Sequence, residues 1–134
     1  MVSLLVIDDD QILLDLYRQM LKRQGYRVHT ADSGEKGIRM FDNGDYALVI
    51  TDLVMGGMDG NGVAEYIRRS PKGMVPVIGV SGTPWRAHDR HFDAVMEKPV
   101  SMKDLVASVR LLAGWPSKGR GGREGGAGCG TIQT

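Results

Sequence analysis

Leu4-Leu5-Val6-Ile7-Asp8-Asp9-Asp10 decides the fold: four apolar residues in succession run straight into three carboxylates. An apolar run without alternation marks a strand covered on both faces, as in a parallel sheet. In open α/β sheets, ligands bind beyond the carboxyl ends of such strands. Working outward, Ile12, Leu13, Leu16, Met20 and Leu21 recur at helical spacing until Gly25 stops the helix. A second strand is expected over 26–31, and a second helix over 33–43 with Ile38 and Phe41 inward. Ala47-Leu48-Val49-Ile50-Thr51 is a third strand, apolar almost throughout, and Asp52 follows it. A glycine-rich loop then leads to a helix over 61–70 that Pro71 closes, a fourth strand over 75–80 and a minimal fifth strand over 94–96. The last helix runs from the N-cap Ser101 to about Trp115, with Leu105, Val109 and Leu112 inward. Strands alternating with helices predict an α/β fold with a doubly wound, five-stranded parallel sheet. Right-handed crossovers favour the flavodoxin-like order 2-1-3-4-5.

Composition bounds the function classes. The chain has 134 residues, 42% hydrophobic, with 17 basic against 16 acidic side chains. That length suits one domain and a core formed without staples. Near-zero net charge argues against a dedicated nucleic-acid or polybasic membrane binder. A single cysteine, Cys129, can form neither an internal disulfide nor a cysteine-rich zinc site. No apolar run is long enough to span a bilayer, and the aspartates after Ile7 are wrong for a signal peptide, so a soluble, cytoplasmic protein is expected. Residues 1–115 form the folded body. Residues 116–134 hold 7 glycines and one large aliphatic, Ile132, and are expected to be a flexible tail. The tail carries three basic residues against Glu124, leaving 14 basic and 15 acidic residues in the body.

The chemistry is expected at the strand ends. Asp8-Asp9-Asp10 ends the first strand, Asp52 the third, Ser81-Gly82-Thr83 the fourth and Lys98-Pro99 the fifth. The first and third strands are neighbours in the proposed order, so Asp8, Asp9 and Asp52 should converge. Three carboxylates in one crevice repel unless a cation sits among them. A hard divalent ion with oxygen ligands meets that need, Mg²⁺ being usual beside phosphate. With the Ser81 hydroxyl and the fixed positive charge of Lys98, this set describes a phosphoryl-transfer site. The plain readings are different: Asp10 as a helix cap, Asp59 making a turn with Gly60, Met20, Met40 and Met58 as core filler, and Cys129 as an inert thiol. His88 and His91, at helical spacing, lack a third ligand nearby and read as solvated histidines.

These residues resemble the receiver domain of two-component response regulators. Val6-Ile7-Asp8-Asp9-Asp10 is similar to the family's opening, and Asp52-Leu53-Val54-Met55-Gly56-Gly57-Met58-Asp59-Gly60 to its phosphoacceptor loop. Val80-Ser81-Gly82 and Glu97-Lys98-Pro99-Val100 match its other two signatures, and the resemblance covers residues 1–115. It implies that Asp52 takes a phosphoryl group from the phosphohistidine of a sensor histidine kinase or a histidine phosphotransfer protein. It also implies that Asp8, Asp9, Asp52 and the backbone carbonyl of Val54 hold Mg²⁺. Ser81 would bond a phosphoryl oxygen, Lys98 would pair with the phosphate, and a cis peptide is expected at Lys98–Pro99. Phosphoacceptance and dephosphorylation would be self-catalysed, so the protein is not a conventional enzyme and small phosphodonors can serve.

Departures from the family pattern bear on output. Gly56 replaces the loop proline, and Val95 stands where the family usually has an aromatic switch residue. The stretch from Ser81 to Lys98 is short, and with Pro84 near its start the fourth helix is expected to shrink to about two turns, over 85–91. Trp85 is either an exposed anchor or a cover for this region. Too few residues follow Trp115 for a DNA-binding output domain. The expectation is a stand-alone monomer that docks a downstream protein target or relays phosphate. The alternative is a degenerate receiver used as an unphosphorylated binding module. A flavodoxin would need a phosphate cradle where Asp8-Asp9-Asp10 stands, and an aspartyl hydrolase typically carries its nucleophile after its first strand.

Overall fold

The computed structural model describes residues 1–116; the sequence expectation for the glycine-rich tail, with Cys129, concerns residues almost wholly outside that range. The elements alternate as β1 (Ser3–Ile7), α1 (Gln11–Arg23), β2 (Arg27–Ala31), α2 (Gly34–Asp42), β3 (Leu48–Asp52), α3 (Gly60–Arg69), β4 (Val77–Ser81), β5 (Ala94–Glu97) and α4 (Met102–Ala113). The five strands are all parallel and ordered β2-β1-β3-β4-β5, the doubly wound arrangement expected.

Strand alternation sends successive side chains to opposite faces and builds two cores. Leu4, Val6, Leu48, Ile50, Ile78 and Val80 face α1 and α4. Leu5, Ile7, Val49 and Val77 face α2 and α3, against Phe41, Val63, Ala64 and Ile67. Asp10 caps α1 by accepting from the amides of Ile12 and Leu13. Ser33 caps α2, Asp59 caps α3 and Ser101 caps α4 in the same way. Asp59 therefore starts a helix, where the sequence suggested only a turn.

Helix α1 buries only part of the set that recurs at helical spacing. Leu14, Tyr17 and Leu21 are buried, whereas Ile12 is 79% and Leu16 42% exposed. The helix carries apolar residues over a wide arc opposite Asp15, Arg18, Gln19 and Lys22, so spacing alone fits two stripes within it. Tyr17 decides between them, because its ring supplies the large body that fills the layer beneath β1 and β3.

The shortening of the fourth helix goes further than expected. Two 3₁₀ turns, Pro84–Arg86 and Asp89–His91, take its place. The Asn61 side chain engages both the Arg86 carbonyl and the His88 amide, groups that a continuous α-helix would need for its own ladder. Beyond these turns the Phe92 ring lies over β4 at Gly79, where an added Cβ would sit 2.9 Å from a ring carbon.

Candidate functional site

The sheet register assembles the site along one edge. Ile7 pairs with Thr51, Asp52 with Val80, and Ser81 with Glu97. Ladder-like bonds then carry past the strand ends: Asp8 N–H donates to Ala31 O, Leu53 N–H to Val80 O and Lys98 N–H to Ser81 O, at 2.9–3.1 Å. Asp8, Asp52, Ser81 and Lys98 are thus set by backbone rather than by loose loops. The Lys98–Pro99 peptide is cis.

Asp8, Asp9 and Asp52 each offer a carboxylate oxygen, and these atoms all lie within 4.8 Å of one another. Asp8, Asp52 and Ser81 are buried, while Asp9 is exposed at the mouth. Lys98 Nζ lies 3.4 Å from Asp52 Oδ2 and 3.7 Å from Asp8 Oδ2. One lysine against three carboxylates leaves the crevice short of positive charge. Burial is the main cause that pushes the Asp8 carboxyl up to about 6, and the Asp52 and Asp9 charges add to it. The Asp10 amide, 2.9 Å from Asp8 Oδ1, and Lys98 pull the other way. Burial also raises the Tyr17 hydroxyl to about 12, with the Asp8, Asp52 and Asp10 charges contributing. Hard oxygen donors, close together and undercompensated, suit a divalent cation such as Mg²⁺. Val54, two residues past Asp52 in the loop that follows β3, is 55% exposed.

Ser81 Oγ accepts from the Thr83 amide at 2.9 Å and lies 3.1 Å from Thr83 Oγ1. The loop after Asp52 is held at two points. The Glu35 carboxyl is held below its ordinary range first by its own backbone amide and then by the Met58 amide, which donates to Oε2 at 3.0 Å. Gly60 N–H donates to Leu53 O at 2.9 Å, and a Cβ at residue 60 would collide with the Asp52 carbonyl. The His88 and His91 rings stand 6.2 Å apart, outside the acidic cluster.

Asn61, Tyr17 and Glu35 did not emerge from the sequence, and Thr83 entered only as the last residue of the strand-end run Ser81-Gly82-Thr83, without its bond to Ser81. Thr83 left a faint signal, a hydroxyl residue two positions after Ser81, the spacing of a side-chain-to-backbone turn. Asn61 left none, since its partners lie 25 and 27 residues away.

A doubly wound sheet with paired acids, a third carboxylate and a lysine at its carboxyl edge is the arrangement that the receiver resemblance implies. Residues 4–110 match the response regulator receiver domain family, and the chain belongs to it. The sensory transduction protein RegX3 of Mycobacterium tuberculosis is 28% identical over 122 residues, which cover 84% of this chain and 51% of that protein. The transcriptional regulatory protein ResD of Bacillus subtilis is 30% identical over 113 residues, covering 82% and 47%. Among solved structures, the response regulator TrrA of Thermotoga maritima, in complex with Mg²⁺ and BeF, has a TM-score of 0.78 at 30% identity, covering 84% of this chain and 99% of that one. A receiver domain protein from Clostridium thermocellum has a TM-score of 0.77 at 25% identity, covering 84% and 94%.

The chain spans about half the length of the curated relatives it matches. This corrects the expected partner scheme of a stand-alone monomer with no DNA-binding output domain. The relatives are regulators with about as much chain again outside the matched part, and ResD is by name a transcriptional regulator. No helix among the described residues is long and apolar enough to cross a membrane.

Proposed function

We propose that this receiver accepts a phosphoryl group on Asp52 from a phosphohistidine of a sensor histidine kinase or histidine phosphotransfer protein, in the cytoplasm. The convergence of Asp8, Asp9 and Asp52 beside Lys98 carries the reading. An Asp52 carboxylate oxygen attacks phosphorus as the phosphorus–nitrogen bond breaks, and the imidazole leaves with the bonding electron pair. Lys98 Nζ, already 3.4 Å from Asp52, offsets negative charge gathering on the transferred group. The Ser81 hydroxyl donates to a phosphoryl oxygen after leaving Thr83. Asp8, Asp9, Asp52 and the Val54 carbonyl would hold Mg²⁺, which supplies counter-charge to the phosphoryl oxygens. Hydrolysis of the aspartyl phosphate by water returns phosphate and resets the site.

Phos-tag electrophoresis after acetyl phosphate and Mg²⁺ should show a shifted band for the wild type and none for Asp52→Asn. A full-strength shifted band from the variant contradicts the assignment. Mg²⁺ affinity should fall in the millimolar range, about −4 kcal/mol, and weaken at least about tenfold in Asp9→Ala. Equal affinities by isothermal titration would remove Asp9 from the cation site.

A further inference from the structure

The connection between β4 and β5 has lost its α-helix and is gripped from outside by one side chain. Asn61 Nδ2 donates to the Arg86 carbonyl at 2.9 Å, and Asn61 Oδ1 accepts from the His88 amide at 2.8 Å. These two groups flank Ala87, where the first 3₁₀ turn ends. Each turn makes its own short bonds, Arg86 N–H to Thr83 O, Ala87 N–H to Pro84 O and His91 N–H to His88 O. Between the turns, Asn61 supplies the hold. Its own base is rigid, because it follows Gly60, whose amide is tied to the residue after Asp52. A cleft of about 460 Å³ lined by Leu53, Val54, Asp59, Asn61 and Arg86 separates the phosphoacceptor loop from the connection. Trp85 stands 76% exposed on the first turn.

We infer that Asn61 is the positioning residue that couples Ser81 to the surface around Trp85. The inference rests on the phosphoryl-accepting reading of Asp52. The Ser81 hydroxyl holds the Thr83 amide at the start of the connection, and Asn61 holds its middle. When Ser81 turns toward a phosphoryl oxygen, Thr83 N–H loses its acceptor and the turn over 84–86 is free to shift. A fixed grip on Arg86 and His88 converts that shift into a re-seating of Trp85 against the cleft. Without the grip, the shift dissipates in a loose connection. Val95, half-buried in β5, supplies no large ring for this purpose.

The test uses the full chain carrying Trp115→Phe, so that Trp85 is the one tryptophan, with Asn61→Ala and Asn61→Asp added separately. Aspartate keeps an acceptor for the His88 amide and loses the donor to Arg86. In the metal-free proteins, exchange of the His88 amide should quicken about tenfold in Asn61→Ala and less in Asn61→Asp. On adding beryllofluoride with Mg²⁺, the change in Trp85 emission should shrink by about threefold or more in Asn61→Ala and be partly restored in Asn61→Asp. The Phos-tag band after acetyl phosphate should stay at parent level in both, which a merely collapsed fold would not allow. A parent-sized Trp85 change in Asn61→Ala, or an unaltered His88 exchange rate, overturns the inference. A parent without any Trp85 change overturns it too. If that parent still gives the phosphorylated band, the coupling alone has failed; if the band is also missing, the Asp52 reading has failed first.

Discussion

The Asp8 carboxylate holds its place at a cost that protonation or an added cation would relieve. The residue is 1% exposed, and burial pushes its carboxyl up to about 6 from an unfolded value of 3.8. A carboxyl raised on folding contributes stability that is full below pH 3.8 and lost as pH rises through about 6. The shift corresponds to about 3 kcal/mol at most. Metal-free Asp8→Asn should therefore be about 1–3 kcal/mol more stable than the wild type at pH 7.5, with no advantage near pH 4. Asparagine still accepts from the Asp10 amide, so the local geometry survives. Added Mg²⁺ should stabilise the wild type and leave the variant nearly unchanged. Urea denaturation at the two pH values, with and without Mg²⁺, checks this. A variant less stable than the wild type at pH 7.5 without metal would contradict the charge account.

At the scale of elements, the loop between β3 and α3 separates free glycines from obligatory ones. An added Cβ at Gly56 meets nothing within 4 Å, and its backbone is not left-handed, so its flexibility serves no visible contact. Gly56→Ala should stabilise the fold by about 0.4–1 kcal/mol by restricting the unfolded chain. Gly60→Ala should cost several times more, because its Cβ meets the Asp52 carbonyl. Thermal melts of the two variants separate the cases, and equal shifts would contradict the distinction. The loop shows why some elements were legible in the sequence and others not. Asp8, Asp52, Ser81 and Lys98 each lie within two residues of the end of a short apolar run, and a parallel register carries such ends to one edge, so local pattern was enough. The inward stripe of α1 was not, because apolar residues cover a wide arc of that helix and only tertiary packing selects Tyr17 within it. Asn61 and Phe92 act through partners distant in sequence, on β4 or on the connection after it, and no local period encodes those contacts.

On the scale of the whole molecule, one sheet separates two cores, and every site residue hangs from that sheet. Leu105 packs on the α1 and α4 side and Ile67 on the α2 and α3 side, both 0% exposed. If the sheet makes one cooperative unit, Leu105→Ala and Ile67→Ala should each cost about 2–5 kcal/mol. Their effects should add within about 0.5 kcal/mol in the double variant, with an unchanged denaturant slope. A biphasic transition would show two units instead. The matched part makes up only about half of each relative, so such a unit sits within larger regulators there. The central claim is the acyl phosphate on Asp52. Borohydride trapping reads it most directly: the protein is treated with acetyl phosphate and Mg²⁺, reduced, digested and mapped by mass. The account predicts homoserine at position 52, dependent on Mg²⁺ and absent without phosphodonor. Reduction at another carboxylate, or at none, would contradict it.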